Sequence, residues 1–267
     1  MQLINSNNLN VIVDLNNGGR ISSLKFHGHE FVIPNNRKVL HWGWYPMVPW
    51  AGRINKGEFF GPASKIRLPT DLMPPHAIHG FGHSAVWQDE GEGISTCKFE
   101  GDFAGAGAIQ EIKVIENTLH YKLQYVPNTC ELPAWLGLHT WFPWTIESSQ
   151  RAIIDFSANN MLELSADGIP SGELVPAGEG PWDDTFTNLN SVPKITWPGI
   201  ASLEIGSNVD WWTIYTKDED VFCVEPLNAP PDAIRIGRLI GNTHNLEVIF
   251  TFNHDLNKID SVKQNGQ

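Results

Sequence analysis

The segment EIKVIENTLHYKLQYV, residues 111–126, gives the clearest indication of the fold. In its second half, apolar and polar residues alternate strictly from Leu119 to Tyr125, and a period of two is typical of a half-buried β-strand. Residues 116–118, Glu-Asn-Thr, separate this run from an apolar stretch before it, so the segment is predicted to form two strands joined by a short turn. A second run, LEVIFTF at residues 246–252, places Leu246, Val248, Phe250 and Phe252 on one face.

Turn-forming residues recur along the whole chain, which has 24 Gly and 18 Pro among its 267 residues. Frequent turns favour short strands, and no segment keeps apolar residues at helical spacing for three turns. A chain of this length can bury a large core without a disulfide or a metal. We therefore predict one all-β domain spanning residues 1–267, a large antiparallel β-sandwich of two sheets.

The formal net charge of -12 argues against nucleic acid and against an anionic membrane surface as partners. A neutral small molecule is the expected partner, and the sequence leaves the oligomeric state open. The N-terminal stretch MQLINSNNLNVIV lacks the pattern of a signal peptide, and no segment has the length of a transmembrane helix. Cys97, Cys130 and Cys223 are scattered without C-x-x-C spacing. A cytoplasmic location is therefore expected.

Four stretches place titratable side chains among aromatic residues and prolines. They are YPMVPWAGRINKGEF (45–59) with Arg53, HAIHGFGH (76–83), WLGLHTWFPW (135–144) with His139, and FCVEPLNAPPDA (222–233) with Glu225. A histidine among aromatic residues is more often a core residue than a catalyst. Burial of a carboxyl group raises its pKa, however, and an acid paired with a base is what proton-transfer catalysis requires. Aromatic rings pack on the C–H faces of sugars, so a sugar is the favoured ligand.

The histidines of HAIHGFGH raise the question of a metal site. His76, His79 and His83 have the spacing H-x2-H-x3-H, which on a helix could place all three on one face. Two glycines in the segment oppose a helix, and the chain has no H-E-x-x-H motif. No metal site is predicted.

In chain order, these clusters resemble the aldose 1-epimerase (mutarotase) family, and the resemblance covers nearly the whole sequence. GGRISSLKFHGHEF (18–31) is similar to the family's opening strand pair. ELVPAGEGPWDDTF (173–186) is similar to its Pro-x-Gly loop, which leads to an aspartate that contacts sugar hydroxyls. The resemblance implies a β-sandwich of the galactose-mutarotase type.

The resemblance also implies the activity, which is interconversion of the α and β anomers of a free aldose without a cofactor. Glu225, in VEPLNAPPDA, is the implied catalytic base, and His139, in the His-x-x-Phe motif, is the implied acid. Arg53, His79 of the Ile-His-Gly motif and Asp183 are the implied substrate-binding residues.

Two positions depart from the family pattern. Gly52 stands where many members have an asparagine before the arginine, and Arg235 stands where many have an asparagine after Pro-Asp-Ala-x. Altered sugar contacts are expected from the first and altered packing from the second. Asp184 competes with Asp183 for the role of sugar ligand, and the resemblance assigns no role to His76 or His83.

Three other functions stay open at this point. A hexose-6-phosphate 1-epimerase would need a basic patch for the phosphate. The candidates for such a patch are Lys56, Lys65, Arg67 and Arg235. A non-catalytic carbohydrate-binding protein would need no matched acid and base. A glycoside hydrolase or lyase on a related sandwich could use Glu225 and Asp183 as its two carboxylates.

Overall fold

The computed structural model describes residues 1–62, 64–241 and 243–255, and its regular secondary structure is almost entirely β-strand, which confirms the predicted all-β class. The predicted domain boundary at Gln267 lies outside the described residues. The strands are β1 (Gln2–Asn5), β2 (Leu9–Asp14), β3 (Arg20–Phe26), β4 (His29–Glu30), β5 (Trp44–Met47), β6 (Arg53–Ile54), β7 (Glu58–Phe60), β8 (Lys65–Arg67), β9 (Ala77–Ile78), β10 (Gln88–Gly91), β11 (Ile94–Lys98), β12 (Gly107–Ile115), β13 (Thr118–Val126), β14 (Gly137–Pro143), β15 (Ile153–Asp155), β16 (Ala158–Leu164), β17 (Pro170–Pro176), β18 (Asp183–Leu189), β19 (Lys194–Trp197), β20 (Ala201–Ser207), β21 (Trp211–Tyr215), β22 (Val221–Leu227) and β23 (Asn245–His254). Two single turns of 3₁₀ helix are Asn55–Gly57 and Gly101–Phe103.

Two large sheets form the body of the molecule. The first has 11 strands in the order β1-β2-β3-β5-β14-β22-β21-β18-β16-β17, with β4 paired to β3. The second has 8 strands in the order β10-β11-β12-β13-β23-β20-β19-β15. Two further pairs, β6 with β9 and β7 with β8, form small sheets of their own. Among the described residues no helix has the length and apolar character that crossing a membrane requires.

The hairpin predicted from residues 111–126 forms as β12 and β13. Its turn is shorter than expected, because Thr118 already pairs with Ile115. The two period-two runs of the sequence turn out to be neighbours, since β13 pairs with β23 and sets Leu119 opposite Phe250. The alternating apolar side chains that begin at Leu119 and at Leu246 face inward and are at most 1% exposed, whereas Ile249 lies on the outer face. The alternation therefore reports a sheet with one face in the core and the other in water.

Aromatic rings join the two sheets face to face. Trp44 of β5 lies 4.7 Å from Phe250 of β23, and Phe142 of β14 lies 5.9 Å from Trp197 of β19, measured between ring centroids. Nine of the 11 tryptophans are buried, so most of them belong to this core and not to a sugar-binding surface. Packing between the sheets also fixes the position of β14 and β22, the adjacent central strands of the first sheet.

Candidate active site

A cavity of about 290 Å³ lies over the central strands of the first sheet. Its size is close to the lower end of the range for small-molecule sites, roughly 300–1,000 Å³. The five residues implied by the resemblance all line it, although they come from distant parts of the chain. They are Arg53, His79, His139, Asp183 and Glu225.

A larger groove of about 830 Å³ lies beside β8 and β11. Its carboxylate side chains, Glu100 and Asp102, are exposed to solvent. None of the five predicted residues lines this groove. The smaller cavity is therefore the candidate active site.

His139 and Glu225 form the centre of the site. Strands β14 and β22 pair so that Gly137 faces Leu227 and Trp141 faces Cys223, which sets His139 opposite Glu225. The distance from His139 Nε2 to Glu225 Oε1 is 3.3 Å. The two residues are only 6% and 4% exposed, so this contact is made in a low-dielectric interior.

Burial shifts the pKa values of these two groups in opposite directions. The pKa of Glu225 is raised well above its usual value, first by burial and then by the negative charge of Asp183. The pKa of His139 is lowered well below its usual value, first by burial and then by the neighbouring His41. Groups in such close contact titrate as a unit. Between the two shifted values the pair as a whole holds one proton.

The orientation of the His139 ring is fixed by its neighbours. Tyr45 stacks on it with ring centroids 4.6 Å apart and an interplanar angle of 23°. Trp141 packs at 5.0 Å, and the Sγ atom of Cys223 lies 3.8 Å from Nδ1. Because Nδ1 faces the thiol, Nε2 is the nitrogen directed towards Glu225.

His79 is placed by the Ile-His-Gly motif. It directly follows β9, which pairs with β6, and it adopts a left-handed conformation with φ of 57°. A Cβ at Gly80 would lie 2.2 Å from the carbonyl oxygen of Val48, so only glycine fits beside His79. The backbone N–H of Gly52 donates to His79 Nδ1 at 3.3 Å, which leaves the Nε2–H of the neutral ring as a donor. Burial, followed by the proximity of His139, lowers the pKa of His79 and keeps the ring neutral.

Arg53 and Asp183 form the outer part of the site. Arg53 donates from Nη2 to Asp183 Oδ2 and from Nη1 to the carbonyl oxygen of Gly168, both at 3.4 Å. Asp184 accepts a hydrogen bond from the backbone N–H of Asp183 and does not line the cavity. It lines an adjoining cavity of about 360 Å³ together with Lys217. Of the two aspartates, Asp183 is therefore the one that reaches the candidate active site.

The other two histidines of HAIHGFGH lie outside the cavity. His76 is buried, accepts a hydrogen bond from the backbone N–H of Lys56 and lies 3.4 Å from Asp167. His83 is also buried and packs edge-on against Tyr45 at 5.9 Å. The three histidines do not converge on one point, so the segment places a single histidine in the site.

Two residues in or next to the cavity were not predicted from the sequence. Cys223 precedes Glu225 by two positions, and residues two apart on a strand share a face, so this neighbour could have been foreseen. His41 lines the cavity and stacks on Trp141 at 5.3 Å, and nothing in its sequence context indicates this. Cys223, His139 and Glu225 are also a set of side chains that could hold a metal ion.

Arg235, the second departure from the family pattern, has a local structural role. Its side chain donates to Asp232 and to the carbonyl oxygen of Pro170. Arg235 therefore links the loop after β22 to the start of β17, two segments that border the site, and this is the altered packing expected at its position.

Comparisons with known proteins identify the family and the fold of the chain. A family model described as aldose 1-epimerase matches residues 1–196, and no curated protein gives a significant match. The solved structures that are similar include a candidate aldose 1-epimerase from Escherichia coli K12, with 19% identity, a TM-score of 0.78 and coverage of 94% of this chain and 98% of the other. A galactose mutarotase-like protein from Clostridium acetobutylicum has 13% identity, a TM-score of 0.78 and 94% coverage of each chain.

An aldose epimerase homologue from C. elegans has 16% identity, a TM-score of 0.72 and coverage of 95% of this chain and 99% of the other. At such low identities these likenesses establish the shared fold, and they confirm the predicted sandwich of the galactose-mutarotase type. The family model covers well over half of the sequence. The chain therefore belongs to the aldose 1-epimerase family.

Proposed function

We propose that the protein is an aldose 1-epimerase that interconverts the α and β anomers of a free aldose. The observation that supports this most directly is the buried contact of 3.3 Å between His139 and Glu225 at the wall of the cavity. Glu225 lies beyond the residues that the family model matches, so its role rests on this geometry and on its motif. An acid and a base within reach of one bound sugar can open its ring by paired proton transfer.

In the proposed reaction, the Glu225 carboxylate removes the proton of the C1 hydroxyl while protonated His139 donates a proton to the ring oxygen. The C1–O5 bond breaks, the C1–C2 bond rotates, and closure occurs on the other face with the two roles reversed. The pair holds one proton before and after ring opening. The opposite pKa shifts likewise leave one proton on the pair, and they favour Glu225 as its site, which is the arrangement that follows ring opening. The reaction starts from the other arrangement, with that proton on His139.

The remaining polar groups would bind and orient the sugar. The Nε2–H of neutral His79 and the guanidinium of Arg53 are donors for the ring oxygen or neighbouring hydroxyls, where negative charge develops during opening. Asp183 is an acceptor for hydroxyl groups at the outer end of the cavity. Fixing the sugar between these groups brings C1 to the acid–base pair and lowers the entropic part of the barrier.

The arrangement of charges favours a neutral sugar over a sugar phosphate. Among the described residues that line the cavity, Arg53 is the one Lys or Arg, and it already contacts Asp183. Lys65 and Arg67 pair with Glu58. The four basic residues considered for a phosphate patch do not line the cavity. They are Lys56, Lys65, Arg67 and Arg235.

Polarimetry on freshly dissolved α-D-glucose and α-D-galactose tests this proposal. The wild-type protein should speed the approach to the same final rotation, Glu225→Gln should lose most of this acceleration, and the exposed control Glu163→Gln should keep it. Faster turnover of glucose 6-phosphate than of glucose would instead favour the phosphate epimerase. Sugar binding without acceleration for any free aldose would reject the enzyme and favour a carbohydrate-binding protein.

A further inference from the structure

Cys223 is the one member of the central cluster that the proposed reaction does not use. Cys223 and Glu225 are two residues apart on β22, so their side chains project from the same face of the strand. His139 lies on the adjacent strand, directly across from Glu225 and diagonal to Cys223. The sheet therefore places a thiol, an imidazole and a carboxyl group side by side.

The three groups are close enough to share one ion. Cys223 Sγ lies 3.8 Å from His139 Nδ1, and one candidate ligand atom from each of the three residues lies within 4.8 Å of the other two. Ligands around a tetrahedral zinc ion are separated by roughly 3.5 Å, given metal–ligand bonds of about 2.0–2.3 Å. Side-chain adjustments of about 1 Å would bring these atoms to that spacing.

The chemistry of the donors selects the class of ion. Sulfur and imidazole nitrogen favour zinc and related thiophilic cations over magnesium or calcium, which prefer oxygen ligands alone. All three residues are buried, with exposures of 0%, 6% and 4% for Cys223, His139 and Glu225. Two of them, His139 and Glu225, line the cavity, so a fourth coordination position would open towards the sugar site.

We propose that Cys223, His139 and Glu225 form a binding site for a thiophilic divalent cation such as Zn²⁺. The ion would occupy both members of the acid–base pair, and it would therefore exclude catalysis instead of assisting it. The site depends on the three side chains and not on the proposed reaction. It makes the protein sensitive to free zinc through a thiol that the mutarotase chemistry does not require.

Titration with Co²⁺ tests the site without any activity measurement. Cobalt bound by a thiolate gives a near-ultraviolet charge-transfer band, and a tetrahedral cobalt site gives intense visible bands. The wild-type protein should show both at one equivalent of Co²⁺, and Zn²⁺ should abolish both by displacement. Cys223→Ser should lose the charge-transfer band and bind Co²⁺ at least about 10–100-fold more weakly. A loss of that size is typical even when the mutated residue only hydrogen-bonds to a metal ligand.

Matched variants separate this site from other thiols. Cys130→Ser removes the exposed cysteine and should leave the spectrum unchanged, whereas Glu225→Gln should weaken Co²⁺ binding while the charge-transfer band remains. If Cys223→Ser fails to fold, as judged by circular dichroism, Glu225→Gln carries the test alone. Absence of the band in the wild-type protein, or its loss in Cys130→Ser, would overturn the proposal. A cobalt site in a protein without mutarotase activity would reject the proposed function and leave this inference standing.

Discussion

Gly52, which replaces the asparagine of many family members, has no room for a side chain. Its φ is +72°, and a Cβ built there would lie 2.5 Å from Cγ and 2.7 Å from Cβ of Pro231. The left-handed conformation costs a non-glycine residue about 1–2 kcal/mol. Relief of such a contact by shifts of the surrounding atoms costs about 1–3 kcal/mol more. Gly52→Ala should therefore lower the free energy of unfolding by about 2–5 kcal/mol.

Gly199→Ala is the matched control, because it shares the backbone conformation and lacks the contact. Gly199 lies in the turn between β19 and β20 with φ of +77°, and an added Cβ would meet no atom of the described residues within 4 Å. This variant should lose only about 1–2 kcal/mol. Urea unfolding of both variants and the wild type measures the difference, provided that the m-values agree. Equal losses for the two variants would refute the steric part of the reasoning.

Gly52→Ala should also impair the site. The carbonyl oxygen of Gly52 accepts a hydrogen bond from the backbone N–H of His79 at 3.1 Å, and Arg53 is the next residue. A shift of Gly52 away from Pro231 would displace His79 and Arg53, the two side chains proposed to bind the sugar, and a displacement of about 1 Å can cost about 10²-fold in rate. Polarimetric kcat/KM should fall for Gly52→Ala and stay at the wild-type value for Gly199→Ala. A destabilised Gly52→Ala with unchanged kcat/KM would show that the site does not depend on this contact.

Three further outcomes are expected. Glu225→Gln should lower kcat by about 10²–10⁴-fold, the usual contribution of a general acid or base, and a fully active variant would exclude Glu225 as the base. The pH–rate profile should have two limbs, because activity requires that the His139–Glu225 pair hold one proton: the rate should fall at low pH, where the pair takes up a second proton, and at high pH, where it loses its proton. The lowered pKa of His139 and the raised pKa of Glu225 move these limbs apart, and a flat profile would contradict paired proton transfer. Asp183→Asn should raise KM more than Asp184→Asn in the same assay, since only Asp183 lines the cavity, and the opposite order would make Asp184 the sugar ligand.

The fold was predictable from the sequence where alternation reports one-sided burial. Residues 119–125 and 246–252 were correctly assigned to strands, because every inward side chain in them is apolar and every outward one except Ile249 is polar. The pairing of β13 with β23 was not predictable, since alternation fixes which face of a strand is buried and not which strand lies beside it. That information lies in contacts between residues more than 100 positions apart in the chain.

The residues of the candidate site could be listed from the sequence, whereas the distances between them could not. The motifs named Glu225 and His139, but the distance between them follows from the register of β14 against β22, which neither motif encodes. Cys223 could have been added from its position two residues before Glu225. His41 could not, because it reaches the cavity through its packing on Trp141.

The surroundings of Glu225 indicate that its carboxylate lowers the stability of the fold, as expected of a residue with a role in catalysis. Its described ion pair is with His139, while Arg53, the cation that lines the same cavity, contacts Asp183 and Gly168 instead. A buried carboxyl group without a strong cationic partner destabilises the fold when it is ionised. Because its pKa is raised in the folded state, the stabilising effect of its protonated form is lost as the pH rises through that value.

A neutral glutamine at this position should therefore stabilise the protein relative to the wild type, and the advantage should grow with pH. Thermal unfolding of wild type and Glu225→Gln at about pH 5 and about pH 9 measures it as a difference in Tm. Glu163→Gln, which changes an exposed carboxylate, should show no such trend. If Glu225→Gln has a higher Tm than the wild type and yet loses turnover, then the buried charge of Glu225 destabilises the fold, as expected of a catalytic base. If the Tm of Glu225→Gln and that of the wild type depend on pH in the same way, then burial does not destabilise the ionised form of Glu225. The argument that burial raises the pKa of a catalytic base would then fail.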